Sequence, residues 1–108
     1  VFGNGKQARD FIYVGDLADF YVKAVRKDVK NEVVNLGTGK GTTIKEVVEI
    51  AGEILGIEPK INYLPQRPGE IDNFVADTRK LRELFSEVPD TSLDKGLQKT
   101  FDWLTTLG

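Results

Sequence analysis

Arg67, Pro68, Gly69 and Glu70 set a guanidinium and a carboxylate on either side of a Pro-Gly bend. The bend itself needs only proline, which fixes φ, and glycine, which supplies a positive φ. The flanking charges are therefore extra to the turn: either they are solvated, or the turn holds a positive fork and an acceptor side by side for a ligand. A guanidinium is a planar fork of N–H donors that stays charged at any working pH and meets phosphate oxygens bidentately. A carboxylate accepts hydrogen bonds from hydroxyls. A second arginine, Arg9, lies in "QARDFIYV" beside Asp10. Taken singly, an arginine with acids nearby is more often a solvated residue or half of a weak surface ion pair.

Other chemistries are excluded by composition. The sequence has no cysteine, hence no disulfide, thiolate metal site or cysteine nucleophile, and no histidine, the commonest general base and zinc ligand. Fifteen basic and 17 acidic residues are interspersed, giving a net charge of −2, which argues against a broad nucleic-acid or membrane footprint. Apolar runs are only a few residues long and no signal peptide is visible, so no membrane partner and a cytoplasmic location are expected. The glycine loops are weak signals. "GNGKQA" (3–8) fits G-x-G-x-x-A, but a dinucleotide loop must open a helix and "RDFIYV" is strand-like. "GTGKGTT" (37–43) has threonine at 42 and 43, where a phosphate loop starting from Gly37 needs glycine and lysine, and reads as a strand-to-helix turn.

The elements that must position Arg9 and Arg67 are short and alternate in type. Residues 7–14, "EVVNL" (32–36) and "KINYL" (60–64) read as strands. Asp16 is the expected N-cap of a first helix, with Leu17, Phe20, Tyr21, Ala24 and Val25 on its apolar side. Thr43 and Glu46 match a capping box for a second helix, which Gly56 closes. Asp77 is the expected cap of a short helix carrying Leu81 and Leu84. Ser92 is the expected cap of a last one, with Leu93, Leu97, Phe101 and Leu104 in a stripe. Phe20, Phe101 and Trp103 are the expected aromatic core. No repeat, linker or low-complexity tract divides the 108 residues, which read as one α/β domain. The strands are too few for a good sheet, and the chain opens on Val1 without a methionine; both predict a segment of a longer protein.

Taken in order, "GNGKQARDFIYVGD", "VNLGTG" and "QRPGE" resemble the C-terminal part of the extended short-chain dehydrogenases that act on nucleotide sugars, UDP-glucose 4-epimerases above all. The resemblance covers essentially the whole chain and is specific as an ordered set. It implies a small C-terminal substrate-binding domain, residues 1–108, packed on an N-terminal Rossmann domain that is absent here. It also implies an NAD cofactor held by that missing domain, a UDP-sugar substrate, and a homodimeric full-length enzyme. The family's Tyr-x-x-x-Lys pair is not in this chain: Tyr13, Tyr21 and Tyr63 are followed four residues later by Leu17, Val25 and Arg67. No catalytic residue is therefore expected here, and the fragment alone should be inert.

Site residues follow from the resemblance. Arg9 and Arg67 match the arginines on the diphosphate, with Phe11 near the first. Glu70 stands where members carry an acidic or polar residue near the ribose. Asn35 resembles an asparagine that approaches the substrate in dehydratases, and Val1 and Phe2 match the strand end against which the base rests. The activity implied is epimerisation at sugar C4 through a transient keto intermediate. A 4,6-dehydratase and a noncatalytic binding module of the same fold are the alternatives.

Overall fold

In the computed structural model, which describes residues 1–107, the run around Arg9 is a strand for only two residues. β1 (Ala8–Arg9) lies between β2 (Thr42–Thr43), antiparallel to it, and β3 (Asn73–Phe74), parallel to it. The register sets Arg9 opposite Thr42 and Phe74. The chain leaves the sheet early because α1 (Val14–Arg26) starts two residues before the expected cap. Tyr13 is its N-cap and makes no side-chain cap hydrogen bond. Asp16 sits inside the first turn, where an acid is favoured by the exposed amides. Its carboxylate accepts from the amide (3.1 Å) and hydroxyl (2.7 Å) of Thr91, tying α1 to the approach to α4 (Leu93–Leu107).

α2 (Ile44–Leu55) begins with the expected capping box: the Glu46 amide donates to Thr43 Oγ1 at 3.1 Å, and the Thr43 amide donates to Glu46 Oε1 at 3.3 Å. Gly56 ends it in the left-handed region, φ 68°. For α3 (Arg79–Phe85) the N-cap is Thr78 rather than Asp77. Asp77 still serves that end, since its Oδ1 accepts the Arg79 amide at 3.1 Å. Ser92 precedes α4, and its carbonyl accepts the Gly96 amide at 2.9 Å.

Two expected strands do not form. Residues 32–36 have no ladder partner among the described residues, and Val33 is 87% exposed. Alternation and β-branching make a segment fit for a sheet, but only a neighbouring strand makes it part of one. Of 60–64, only Leu64 pairs, in a parallel bridge with Phe2.

The core is thin. Phe20, Leu81 and Phe85 are buried, flanked by Ala24, Val29, Val34, Leu36, Leu84 and Val88. Phe20 and Phe85 meet edge to face with centroids 5.5 Å apart. Phe101 is half-buried, but Trp103 is 59% exposed and is not core. Two positions on from Phe101 it has turned most of half a circle away from the Leu93–Leu97–Phe101 stripe. The molecule is flat, 47 × 37 × 19 Å, with a radius of gyration of 16.3 Å against about 13 Å for a compact chain of this length. It exposes 7901 Å², whereas a compact 12.0 kDa monomer exposes about 6,000 Å².

Candidate functional site

Two parallel pairings frame the site. At one end the Leu64 amide donates to the Val1 carbonyl (2.7 Å) and the Gly3 amide to the Leu64 carbonyl (2.8 Å). At the other the Ala8 amide donates to the Asp72 carbonyl at 2.8 Å, leading into the β1–β3 pairing. Between them the loops 4–7 and 65–71 bow apart around a polar cavity of about 580 Å³, lined by Phe2, Asn4, Lys6, Gln7, Gln66, Glu70 and Asp72. Gln7 steadies one wall by donating through Nε2 to the Phe2 carbonyl at 3.0 Å.

The Arg-Pro-Gly-Glu bend forms as its residues dictate. The Glu70 amide donates to the Arg67 carbonyl at 3.2 Å, and Gly69 takes the positive φ, 77°. The bend therefore places the Arg67 and Glu70 side chains together, with Arg67 Nη2 3.1 Å from Glu70 Oε2. Arg9 comes in from β1 and donates through Nη2 to the other oxygen, Glu70 Oε1, at 3.1 Å. Its Nη1 donates to the Ala8 carbonyl at 2.8 Å. Arg67 also lies over the Phe2 ring, its Cζ 4.3 Å from the centroid, a cation–π contact that flattens the fork against the cavity mouth. Exposure falls inward through the trio: 59% for the Arg67 side chain, 28% for Arg9 and 12% for Glu70. Two guanidiniums on one carboxylate leave the cluster with a net positive charge, beside a cavity that carries both Lys6 and Asp72.

Asp10, the neighbour of Arg9, does not face this cavity. Its Oδ1 accepts from the Thr38 hydroxyl (2.6 Å) and amide (3.0 Å), and its Oδ2 from the amides of Gly39 (2.9 Å) and Ala76 (3.2 Å). Partial burial pushes this carboxyl up. The Thr38 hydroxyl and the three amides outweigh that and hold it below the ordinary carboxylate range. Asp10 thus latches the glycine loop 37–41 and the segment after β3 to the strand that bears Arg9. The latch needs a glycine at 37, where a Cβ would stand 2.6 Å from Ala76 Cβ and 2.8 Å from Asp10 Oδ2.

Of the residues singled out from the sequence, Phe2, Arg9, Arg67 and Glu70 come together at the cavity, and Val1 pairs through its backbone with Asn62 and Leu64 at one end of it. Phe11 and Asn35 do not join them. Phe11 faces hollows bounded by residues 89–93, and Asn35 borders an open charged depression with Asp77, Arg79, Lys80 and Glu83. Sequence reasoning missed the amides that line the cavity, Gln7 and Gln66, and the latch on Asp10. The amide-rich "GNGKQ" and "PQR" held a signal for the first; nothing local marked the second. The loop at 3–8 offers no place for a dinucleotide: it opens onto β1, not onto a helix whose amides would meet a pyrophosphate.

Comparison with known proteins places the chain in a family. The family model described as GDP-mannose 4,6 dehydratase matches residues 1–100. The chain is 36% identical over 104 residues to a putative UDP-glucose 4-epimerase of Methanocaldococcus jannaschii, covering 96% of this chain and 33% of that protein. It superposes with a TM-score of 0.89 on the UDP-N-acetylglucosamine 4-epimerase of Methanobrevibacter ruminantium solved with UDP-N-acetylmuramic acid, at 33% identity over 100% of this chain and 34% of that one. It also matches the UDP-glucose 4-epimerase of Bifidobacterium longum solved with NAD+ and UDP, at a TM-score of 0.84 and 30% identity over 95% of this chain and 31% of that one. The chain thus spans about a third of the length of the relatives it matches.

Proposed function

The chain belongs to the family of the GDP-mannose 4,6 dehydratase model, the extended short-chain dehydrogenases that act on nucleotide sugars, and from that membership we propose that residues 1–108 are the C-terminal nucleotide-sugar-binding domain of an NAD-dependent nucleotide-sugar 4-epimerase. The observation that carries the reading is the pair of guanidiniums, Arg9 from β1 and Arg67 from the Pro-Gly bend, gathered onto one half-buried carboxylate at the mouth of a polar cavity. The diphosphate bridge lies across Arg9 and Arg67, whose remaining N–H donors meet its oxygens in pairs. The base lies toward Val1 and Phe2. Phe11 and Asn35 stay in the proposal on the resemblance alone.

These residues bind and orient substrate. Remote binding energy of this kind positions the sugar carbon for the reaction. The redox step belongs to groups outside the chain, because the residues present do not fit NAD. A homodimeric parent enzyme in the cytoplasm is proposed on the same resemblance; no described helix is long and apolar enough to cross a membrane.

The relatives and neighbours described above are 4-epimerases, which favours that activity over 4,6-dehydration, the reaction named in the family model's description. The test is to incubate the purified parent protein with NAD and UDP-glucose and follow the sugar by NMR. The C4 epimer is the expected product. A 4-keto-6-deoxy sugar would reassign it as a dehydratase, and saturable UDP binding without turnover would reduce it to a binding module.

A further inference from the structure

Asp10 is not among the residues that line the cavity, yet its neighbour Arg9 reaches the cavity mouth from a strand that has little else to hold it. We infer that Asp10 is a positioning residue for the nucleotide sugar: it fixes the strand that delivers Arg9 to the diphosphate and itself meets no part of the ligand. This rests on the proposed nucleotide-sugar reading of the site.

Three observations carry it. First, β1, β2 and β3 are two residues each, so the ladder around Arg9 is too short to fix β1 firmly by itself. Asp10, the next residue, supplies what the ladder lacks. Its Oδ2 accepts the Ala76 amide at 3.2 Å, beyond the end of β3, and the Gly39 amide at 2.9 Å. Its Oδ1 accepts the Thr38 amide at 3.0 Å and hydroxyl at 2.6 Å, in the loop that leads to β2. One charged acceptor, the stronger kind of hydrogen-bond partner, thus pins the chain beside Arg9 to both flanking segments.

Second, adjacent residues of an extended chain face opposite sides. Arg9 turns to the cavity mouth while Asp10 turns to residues 38, 39 and 76, so the latch holds the backbone without taking space from a ligand. Third, the same strand closes one end of the cavity, where the Ala8 amide donates to the carbonyl of Asp72, a lining residue, at 2.8 Å. A shift of β1 therefore moves the Arg9 fork and this wall together. A fork that meets phosphate oxygens in pairs is sensitive to such a shift, as a point charge is not.

The sign of the effect separates positioning from simple electrostatics. Asp10→Asn removes a negative charge one residue from Arg9 and would tighten anion binding if the local field alone decided. It also turns an amide donor toward backbone donors and releases part of the latch. Positioning therefore predicts weaker binding despite the added positive charge.

The experiment is calorimetric titration of the parent protein with UDP, which reads the Kd and the number of sites separately. Asp10→Asn is expected to raise the Kd about tenfold, the low end of what one charge-assisted contact contributes, with the number of sites unchanged. In an Arg9→Lys background, where the fork is already gone, the same change should cost little further, because residues that act through one another are not additive. Thr38→Val keeps the charge of Asp10 and removes its 2.6 Å hydroxyl partner. It should raise the Kd about threefold, and it serves if Asp10→Asn does not fold. The inference is overturned if either variant, folded, binds UDP as tightly as the parent or more so. It is equally overturned if the Kd holds while the number of sites falls, which marks a folding defect, or if Asp10→Asn costs the same factor in the Arg9→Lys background. If the unaltered protein binds no UDP, the nucleotide-sugar reading itself fails, and this inference with it.

Discussion

Replacing Asp10 by asparagine changes one atom and should unfasten three segments. The asparagine keeps an oxygen toward Thr38 but turns an amide NH2 toward the Gly39 and Ala76 amides, donor against donor, where Oδ2 now accepts at 2.9 and 3.2 Å. A flipped side chain only exchanges which pair is lost. Each charge-assisted bond contributes about 1.5–3 kcal/mol when sheltered. Asp10 is only partly buried, so solvent replaces part of each and the figure falls toward about 1 kcal/mol apiece. The expected loss is then about 2 kcal/mol, or a melting point lower by roughly 8–16 °C for a domain of this size. Acid should erase the difference. The folded Asp10 carboxyl lies below its ordinary value, so its contribution is fully present above the unfolded pKa, about 3.9. It is lost as pH falls through the lower folded value. Thermal unfolding of the 108-residue chain and its Asp10→Asn variant, followed by circular dichroism at neutral and strongly acid pH, measures both effects. A variant melting within a degree or two of the parent at neutral pH, or a gap that widens in acid, would refute the latch.

Thr43→Ala removes the hydroxyl half of the α2 capping box, leaves the backbone amide of that position on Glu46 Oε1, and should lower stability by about 1 kcal/mol in urea denaturation. Gly37→Ala must push aside Ala76 or Asp10 and should destabilise by roughly 1–3 kcal/mol, with the loop amides of Thr38 and Gly39 exchanging faster with solvent. The isolated chain exposes far more surface than a compact monomer of its mass and leaves Tyr21, Val25 and Val33 in solvent. It should therefore bind a hydrophobic dye such as ANS or self-associate. It should also show no saturable NAD binding in an equilibrium titration, since its one G-x-G-x-x-A stretch opens onto a strand.

What was legible in the sequence was local. The capping box at Thr43 and Glu46, the left-handed Gly56 and the Pro-Gly bend are each decided within a few residues, and each forms as read. The grouping of Arg9 with Arg67 was legible only through the ordered motifs, because parallel pairing across some sixty residues leaves no periodic trace. The errors share one cause, the environment beyond the segment. Residues 32–36 have the composition of a strand but no neighbour among the described residues to make one. Asp16 has the side chain of a cap, but Thr91 claims it. Trp103 has the size of a core residue and the wrong angle on α4. Within the site, what Glu70 and Asp10 contact is set by which donors tertiary structure brings near, and a carboxylate's letter in a sequence does not name its partners.

The central claim is that Arg9 and Arg67 jointly grip the diphosphate, and steady-state kinetics of the parent enzyme with a UDP-sugar tests it most directly. Arg67→Lys and Arg9→Lys each keep the charge but replace a two-pronged donor with a point charge. Each should lower kcat/KM by about ten- to a hundredfold, mainly through KM, because the diphosphate is remote from the reacting carbon and is held before and during the reaction. Lys95→Ala, on the exposed side of α4, should leave both constants unchanged. Arginine variants with the parent's kcat and KM, still folded and still holding NAD, would contradict the account and leave the Arg-Pro-Gly-Glu stretch as only a turn.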